Sequence, residues 1–169
     1  MAKILEATIE LVRERSPETV GVRDIAERSG HNQRFVVERF GSKVELFRQA
    51  FVRLAEEFAA GGSVLTRRSA PQPELVVIIR LMNWLVAQQP TVFRDTAERP
   101  LLEMMSAVYR NRFSHDDRVS ELLAQRLVAG LISTVLFGDL LRMTPRDLEE
   151  QIILDTHLAQ LLADHGLPD

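Results

Sequence analysis

The residues between His31 and Arg39 form a run of side chains that can hydrogen-bond to the edges of nucleic-acid bases. Arg34 carries a planar guanidinium that can donate to O6 and N7 of guanine together, and Gln33 can pair with adenine in the same way. Lys43 stands at the predicted start of a helix, where a cation and free backbone N–H groups can hold a phosphate. These residue types at this spacing predict contact with both the bases and the backbone of DNA.

The full set of predicted DNA-binding residues shares a position outside the predicted core, on two short helices and at the helix start that follows them. Glu38 places an acid among these residues. It can accept from cytosine N4, or it can pair with Arg34 one turn earlier, and we favour the pairing. The predicted set is Arg23, Asn32, Gln33, Arg34, Phe35, Val37, Arg39 and Lys43.

Two short helices and a tight turn are needed to present these side chains. Helical spacing of apolar residues predicts one helix over residues 22–29, ended by Gly30, which can adopt a left-handed conformation at no steric cost. Asn32 can cap a second helix, in which Val36 and Phe40 face inward one turn apart. A helix, a glycine turn and a second short helix form the unit that places its second helix in the major groove.

Helical periodicity without strand alternation covers most of the remaining sequence. Ser42 and Glu45 predict a reciprocal capping box, and Thr144 predicts an N-cap before Pro145. The stretch from Gly61 to Pro73 predicts a mobile connection. The further predicted helices cover residues 3–15, 42–58, 74–89, 91–97, 101–112, 116–143 and 145–165.

Composition limits the classes of protein to which the chain can belong. The net charge is -3, but residues 1–53 carry ten Lys and Arg against eight Asp and Glu, whereas residues 54–169 carry eleven against sixteen. A basic first third beside an acidic remainder is compatible with DNA bound by one part of the chain. No cysteine is present, which excludes disulfides, thiolate catalysis and cysteine-ligated metals.

Motifs for catalysis, cofactors, metals and membranes are not found in the sequence. It has no phosphate loop, nucleophile elbow, dinucleotide fingerprint or zinc-binding helix motif, so we expect no enzyme activity and no cofactor. The four histidines lack metal-ligand spacing, and we expect no metal site. The nearly apolar stretch over 127–137 is too short for a membrane span and no signal peptide is recognised, so we expect a cytoplasmic protein.

The spacing of framework residues over about Ile4 to Phe47 resembles the N-terminal DNA-binding domain of the TetR family of repressors. The resemblance rests on Ile4-Leu5-Glu6-Ala7, Val22-Arg23-Asp24-Ile25-Ala26, Ser29-Gly30, Phe40, Ser42-Lys43 and Glu45-Leu46-Phe47. It implies base contacts by Gln33, Arg34 and Phe35 and a phosphate contact by Lys43. The sequence departs from the family where Val37 replaces a usual tyrosine and where Gly21 replaces a usual Ser or Thr before the second helix.

The resemblance also implies an all-α architecture and a homodimer. In this architecture, a three-helix helix-turn-helix domain is joined by a connecting helix to a C-terminal helical bundle for dimerisation and ligand binding. We assign residues 1–46 to the DNA-binding domain and residues 47–169 to the second domain. For the wall of a small-molecule pocket we name Trp84, Met104, Tyr109 and Phe137, with core packing as the alternative.

The last two predicted helices are candidates for a four-helix dimer interface, with an ordinary contact within one chain as the alternative. The predicted interface stripe is Leu123, Leu127, Gly130, Leu131, Thr134, Gly138 and Leu141, paired with Ile152, Ile153, Thr156, Ala159 and Ala163. The predicted function is a sequence-specific, DNA-binding transcriptional regulator, a repressor released by a small-molecule effector. The alternative function is a helical protein-interaction module that keeps the fold without specific DNA binding.

Overall fold

The computed structural model describes residues 1–60, 72–93, 99–113 and 116–165, and within these ranges every regular element is an α-helix. The predicted all-α fold, with a helix-turn-helix at its N-terminus, is confirmed. The helices are α1 (Ala2–Glu14), α2 (Val22–Ser29), α3 (Gln33–Phe40), α4 (Lys43–Ala60), α5 (Pro73–Gln88), α6 (Pro100–Phe113), α7 (Asp117–Phe137) and α8 (Pro145–His165).

Two predicted helices differ from the structure. In the predicted helix over 91–97, residues 91–93 form turns, and residues 94–97 lie outside the described residues. The predicted helix over 116–143 ends at Phe137 and is followed by turns. Arg142 has a φ of 53°, and the Met143 N–H donates to the carbonyl of Gly138 at 2.9 Å, so the chain reverses there. Residues 61–71 of the predicted mobile connection also lie outside the described residues.

The first compact unit contains α1 to α5, and its core comes from the inward faces of all five helices. Helix α1 packs against α2, α4 and α5, while α3 packs against α2 and α4. Arg28 in α2 pairs with Glu14 at 2.8 Å and Glu10 at 3.2 Å, which ties α2 to α1 at the surface. The fully buried core side chains of this unit include Ile4, Val20, Ile25, Val36, Leu46, Phe47, Ile78 and Leu81.

The second compact unit contains α6, α7 and α8, which pack against one another. Four residues of the predicted dimer stripe, Leu123, Leu127, Leu131 and Ala159, are buried within this single chain. Assigning those four to an intersubunit face was therefore wrong, because the facing helix of the same unit covers them. Among the described residues of this unit, the large apolar side chains that stay exposed are Phe137 at the end of α7, Leu140 and Leu141 in the turns that follow it, and Ile153, Leu154 and Leu161 in α8; we call them the exposed apolar set of α7 and α8.

The packing groups the helices differently from the predicted domains. Helix α5 belongs to the compact unit of the helix-turn-helix, although the sequence assigns residues 47–169 to a second domain. The functional division into 1–46 and 47–169 stays a prediction. By length and composition alone α7 could cross a membrane, with a mean hydropathy of 1.4 over its most apolar window. Six of its residues, among them Val119, Ser120 and Ala124, are buried in the three-helix unit, and 28% of the apolar window is buried.

Candidate nucleic-acid interface

The turn between α2 and α3 is made by Gly30, which has φ 72° and ψ 25°. The N–H of His31 donates to the carbonyl of Ala26 at 2.9 Å and closes the end of α2. A Cβ built on Gly30 would meet no atom within 4 Å, so the backbone conformation, not lack of space, requires glycine there. The predicted role of Gly30 is confirmed, and this turn sets the direction in which α3 leaves α2.

We expect Gly30→Ala to lower the free energy of unfolding by about 1 kcal/mol, because alanine is strained in the left-handed conformation. Gly130→Ala is the matched control: Gly130 lies inside α7 and its Cβ would also meet nothing within 4 Å. That change should raise the free energy of unfolding by about 0.5 to 1 kcal/mol, since helical glycine is unfavourable relative to alanine. Urea unfolding of both variants measures the difference, and effects of the same sign would contradict this account.

The start of α2 is capped from inside the helix. Gly21 keeps the extended backbone of an N-cap, and its N–H donates to the Asp24 carboxylate at 2.8 Å. Arg15 approaches the same carboxylate at 3.3 Å. The Gly21 hydrogen bond and then the nearby Arg15 charge lower the pKa of Asp24 below its ordinary value. The Asp24 carboxylate, in the first turn of α2, thus accepts a hydrogen bond from the backbone of the N-cap residue.

We expect Asp24→Asn to destabilise the fold at neutral pH and to make no difference in strong acid. A carboxylate whose pKa is lowered by folding stabilises the folded state above its unfolded pKa, and this stabilisation is lost as the pH falls through the lower folded pKa. The urea midpoints of wild type and Asp24→Asn should therefore converge below the ordinary value of 3.8. Glu6→Gln, at an exposed position of α1, is the control. A midpoint difference that persisted unchanged in acid would contradict the ionised cap.

Helix α3 presents one apolar side to the core and its other side chains to solvent. Val36 and Phe40 are buried, as predicted. The Asn32 side chain accepts from the Phe35 N–H at 2.7 Å, so this predicted DNA contact is also the N-cap of the helix. The exposed positions are Gln33, Arg34, Phe35, Val37, Glu38 and Arg39.

Three of the exposed α3 side chains already have partners within the chain. Arg34 Nε donates to the Glu38 carboxylate at 2.7 Å, which is the pairing that we favoured from the sequence. Phe35 stacks on the ring of His31, with the centroids 5.2 Å apart and the planes 13° apart. The acid therefore neutralises the neighbouring guanidinium, and the aromatic ring is held flat against the turn.

Arg23, the predicted contact on α2, lies on an exposed side of that helix. Its Nε donates to Glu27 at 2.9 Å, one turn later. Such a solvent-exposed pair contributes little to stability, because water and salt screen it, and a phosphate can displace it. Arg23 and the exposed face of α3 belong to the same unit, on the two helices that the Gly30 turn joins.

Lys43, the predicted phosphate contact at the start of α4, is half-buried. Its Nζ donates to the Pro17 carbonyl at 3.1 Å and lies 4.6 Å from the ring centroid of Trp84 and 4.9 Å from that of Phe47. Burial lowers the pKa of Lys43, and the negative charges of Glu18 and Asp24 oppose this shift. Sequence reasoning missed the contact with Trp84, because 41 positions separate the two residues and no local pattern connects them.

The predicted capping box at the start of α4 is half formed. The Glu45 N–H donates to the Ser42 hydroxyl at 3.1 Å. The Glu45 carboxylate, however, accepts from Arg48 at 2.9 Å and from Gln49 at 2.9 Å rather than returning to Ser42. Arg48 is the first cause of the lowered pKa of Glu45. The carboxylate therefore stabilises the first turns of α4 along its own helix, where a nearby guanidinium provides a stronger partner.

The four residues predicted to line a ligand pocket lie in different units. Trp84 is buried in the first unit against Phe47, with the ring centroids 4.8 Å apart. Met104, Tyr109 and Phe137 belong to the second unit, where burial raises the pKa of Tyr109 to about 12 and Phe137 is 49% exposed. A shared wall made by these four residues stays a prediction.

Two open cavities lie within the second unit. One, of about 400 Å³, is bounded by α6, the start of α7 and Arg99. The other, of about 390 Å³, lies between α7 and α8 beside the Arg126–Asp155 pair, whose atoms are 2.8 Å apart. Across the residues that the structure describes, no three His, Asp or Glu side chains converge as metal ligands would.

The N-terminal part of the chain is similar to a known protein family. Residues 4–50 match the family model for "Bacterial regulatory proteins, tetR family". A similar solved structure is that of the TetR family repressor AlkX from Dietzia sp. strain DQ12-45-1b, implicated in biodegradation of n-alkanes. It is 19% identical with a TM-score of 0.44, over 97% of this chain and 96% of that chain. No curated protein matches the sequence.

Proposed function

We propose that the chain is a DNA-binding transcriptional regulator that acts as a repressor, because residues 4–50 match the family model of the TetR regulatory proteins. The observation that carries the proposal is the exposed polar side of α3, held after the Gly30 turn by the buried Val36 and Phe40. A helix presented in this way fits the major groove of B-DNA. As a DNA-binding protein, it would act in the cytoplasm.

We assign the predicted contacts to two roles. Gln33, Arg34 and Phe35, in the first turn of α3, are exposed and would meet base edges, with Phe35 offering an apolar surface to a thymine methyl group. The remaining members of the set would approach phosphates and sugars, which fix position without reading sequence. These remaining members are Arg23, Asn32, Val37, Arg39 and Lys43.

We further propose that the regulator is a homodimer. The exposed apolar set of α7 and α8 leaves large side chains in water, with Leu140 79% exposed and Leu154 63% exposed. A second copy of the chain would cover them across a two-fold axis. Two α3 helices would then meet half-sites about 34 Å apart on one side of a partly palindromic operator.

A small-molecule effector that releases the repressor from DNA is the last part of the proposal. The second unit holds the cavity of about 400 Å³ beside α6, whose volume suits a small ligand. Its rim carries Glu103, Arg110 and Asp117, and Arg110 pairs with Asp117 at 2.8 Å. An effector that carries both a positive and a negative group would match this rim.

The experiment that tests the proposed function is selection of random duplexes by the purified chain, repeated over a range of salt concentrations. We expect enrichment of a partly palindromic sequence and an affinity that falls steeply with salt, since each phosphate contact releases counterions. If no duplex is retained above the non-specific level at low salt, the regulator assignment fails. The alternative, a protein-interaction module that uses the same surface, would then be favoured, and the Arg34–Glu38 pair is the feature consistent with it.

A further inference from the structure

The ammonium group of Lys43 lies in a setting built by three separate elements. The connection between α1 and α2 contributes the Pro17 carbonyl at 3.1 Å, α4 contributes the Phe47 ring, and α5 contributes the Trp84 ring, whose centroid is the nearer at 4.6 Å. A cation over an aromatic ring at this distance is attracted by the negative face of the ring. The position of the charge therefore depends on α5, a helix outside the residues that match the family.

Trp84 can hold this charge because its own ring is fixed. The residue is 7% exposed and its ring is tilted against Phe47, which is fully buried. Helix α5 is also packed against α4 and α1. A flexible lysine on a rigid ring loses side-chain freedom in the free protein, so less freedom remains to be lost when its charge meets a phosphate.

We propose that Trp84 is a positioning residue for DNA binding, which holds the Lys43 ammonium beside the first turn of α4 for contact with a DNA phosphate. The inference rests on the proposed function, because Lys43 has a phosphate to meet only if the chain binds DNA. It makes α5 part of the DNA-binding machinery and assigns Trp84 a role other than lining an effector pocket. Trp84 does not touch DNA in this scheme and acts through Lys43.

The test is a double-mutant cycle on the full-length protein, with a duplex selected by the wild type. We expect Trp84→Leu and Lys43→Met each to weaken binding by about three- to tenfold, and the double variant to bind no more weakly than Lys43→Met. Trp84→Phe keeps an aromatic face and should retain most of the affinity. Lys43→Met should also reduce the slope of log affinity against log salt concentration by about 1, because one phosphate is no longer neutralised.

A control separates positioning from general stability. Phe51→Leu removes a buried aromatic contact of the same unit, that with Phe93 at 4.9 Å, without touching Lys43. It should lower the unfolding midpoint, and any affinity loss should add to that of Lys43→Met. If the losses of Trp84→Leu and Lys43→Met add in the same way, the positioning role is overturned.

A measurement without DNA checks the contact itself. The side-chain methylene protons of Lys43 should be shifted upfield in the NMR spectrum by the Trp84 ring, and the shift should become clearly smaller in Trp84→Leu, in which only the Phe47 ring remains. An unshifted lysine overturns the inference even if the chain binds DNA. If the wild type retains no duplex, the proposed function and the positioning role both fail. If it binds but the cycle is additive, only the positioning role fails.

Discussion

Replacing Leu154 and Leu161 together with glutamate is expected to convert a dimer into a monomer and to lower DNA affinity by about 10² to 10⁴. The two leucines lie seven residues apart on one side of α8 and are 63% and 57% exposed, so the change should leave the core of the unit intact. Burying two carboxylates against a second copy is unfavourable, because each would lose its hydration without gaining a partner. The loss of affinity follows because each monomer reaches only one half-site.

Mass in solution and DNA affinity are the two measurements for this variant. Val86→Glu is the matched control, since Val86 is an apolar residue of α5 that is 42% exposed and lies in the first unit. It should leave the mass unchanged. A Leu154→Glu, Leu161→Glu protein that still ran as a dimer would show that the exposed apolar set of α7 and α8 does not form the interface.

The second large effect is expected at Arg34. Arg34→Ala should abolish the preference for guanine at one position of each half-site, a loss of about 1 to 3 kcal/mol of discrimination, or about 5- to 150-fold. The ranking of affinities among duplexes that differ at other base pairs should stay the same. A selection profile on random duplexes that is the same for Arg34→Ala and the wild type would exclude Arg34 as a reader of sequence.

Glu38→Gln tests the same ion pair by changing the partner of Arg34. The Glu38 carboxylate accepts from the Arg34 guanidinium at 2.7 Å, and it places a negative charge on the helix that we propose faces DNA. Glutamine removes the charge while keeping the length of the side chain. We expect DNA affinity to rise, by about two- to tenfold, because the competing ion pair and the repulsion of the phosphates are both removed. Weaker binding would indicate that Glu38 itself accepts from cytosine.

Most helices of this protein could be located from the sequence, because their signals are local. The i, i+3, i+4 spacing over 22–29, the glycine at 30 and the cap at Asn32 act within one or two turns of the chain, and the structure reproduces all three. The end of α7 was placed six residues too late. The apolar pattern continues past Phe137, whereas residues 138–142 form turns that finish with a left-handed backbone at Arg142, a residue type that gives no such signal.

Sequence alone determined the framework of the proposed DNA-binding surface and the set of side chains that α3 exposes, since helical periodicity separates inward from outward positions. Tertiary structure decided the partners of those side chains. It placed Trp84 against Lys43 and Phe47, and it buried Leu127 within one chain rather than between two. Contacts between residues far apart in sequence depend on how whole helices pack, and an apolar stripe does not specify which neighbouring helix will cover it.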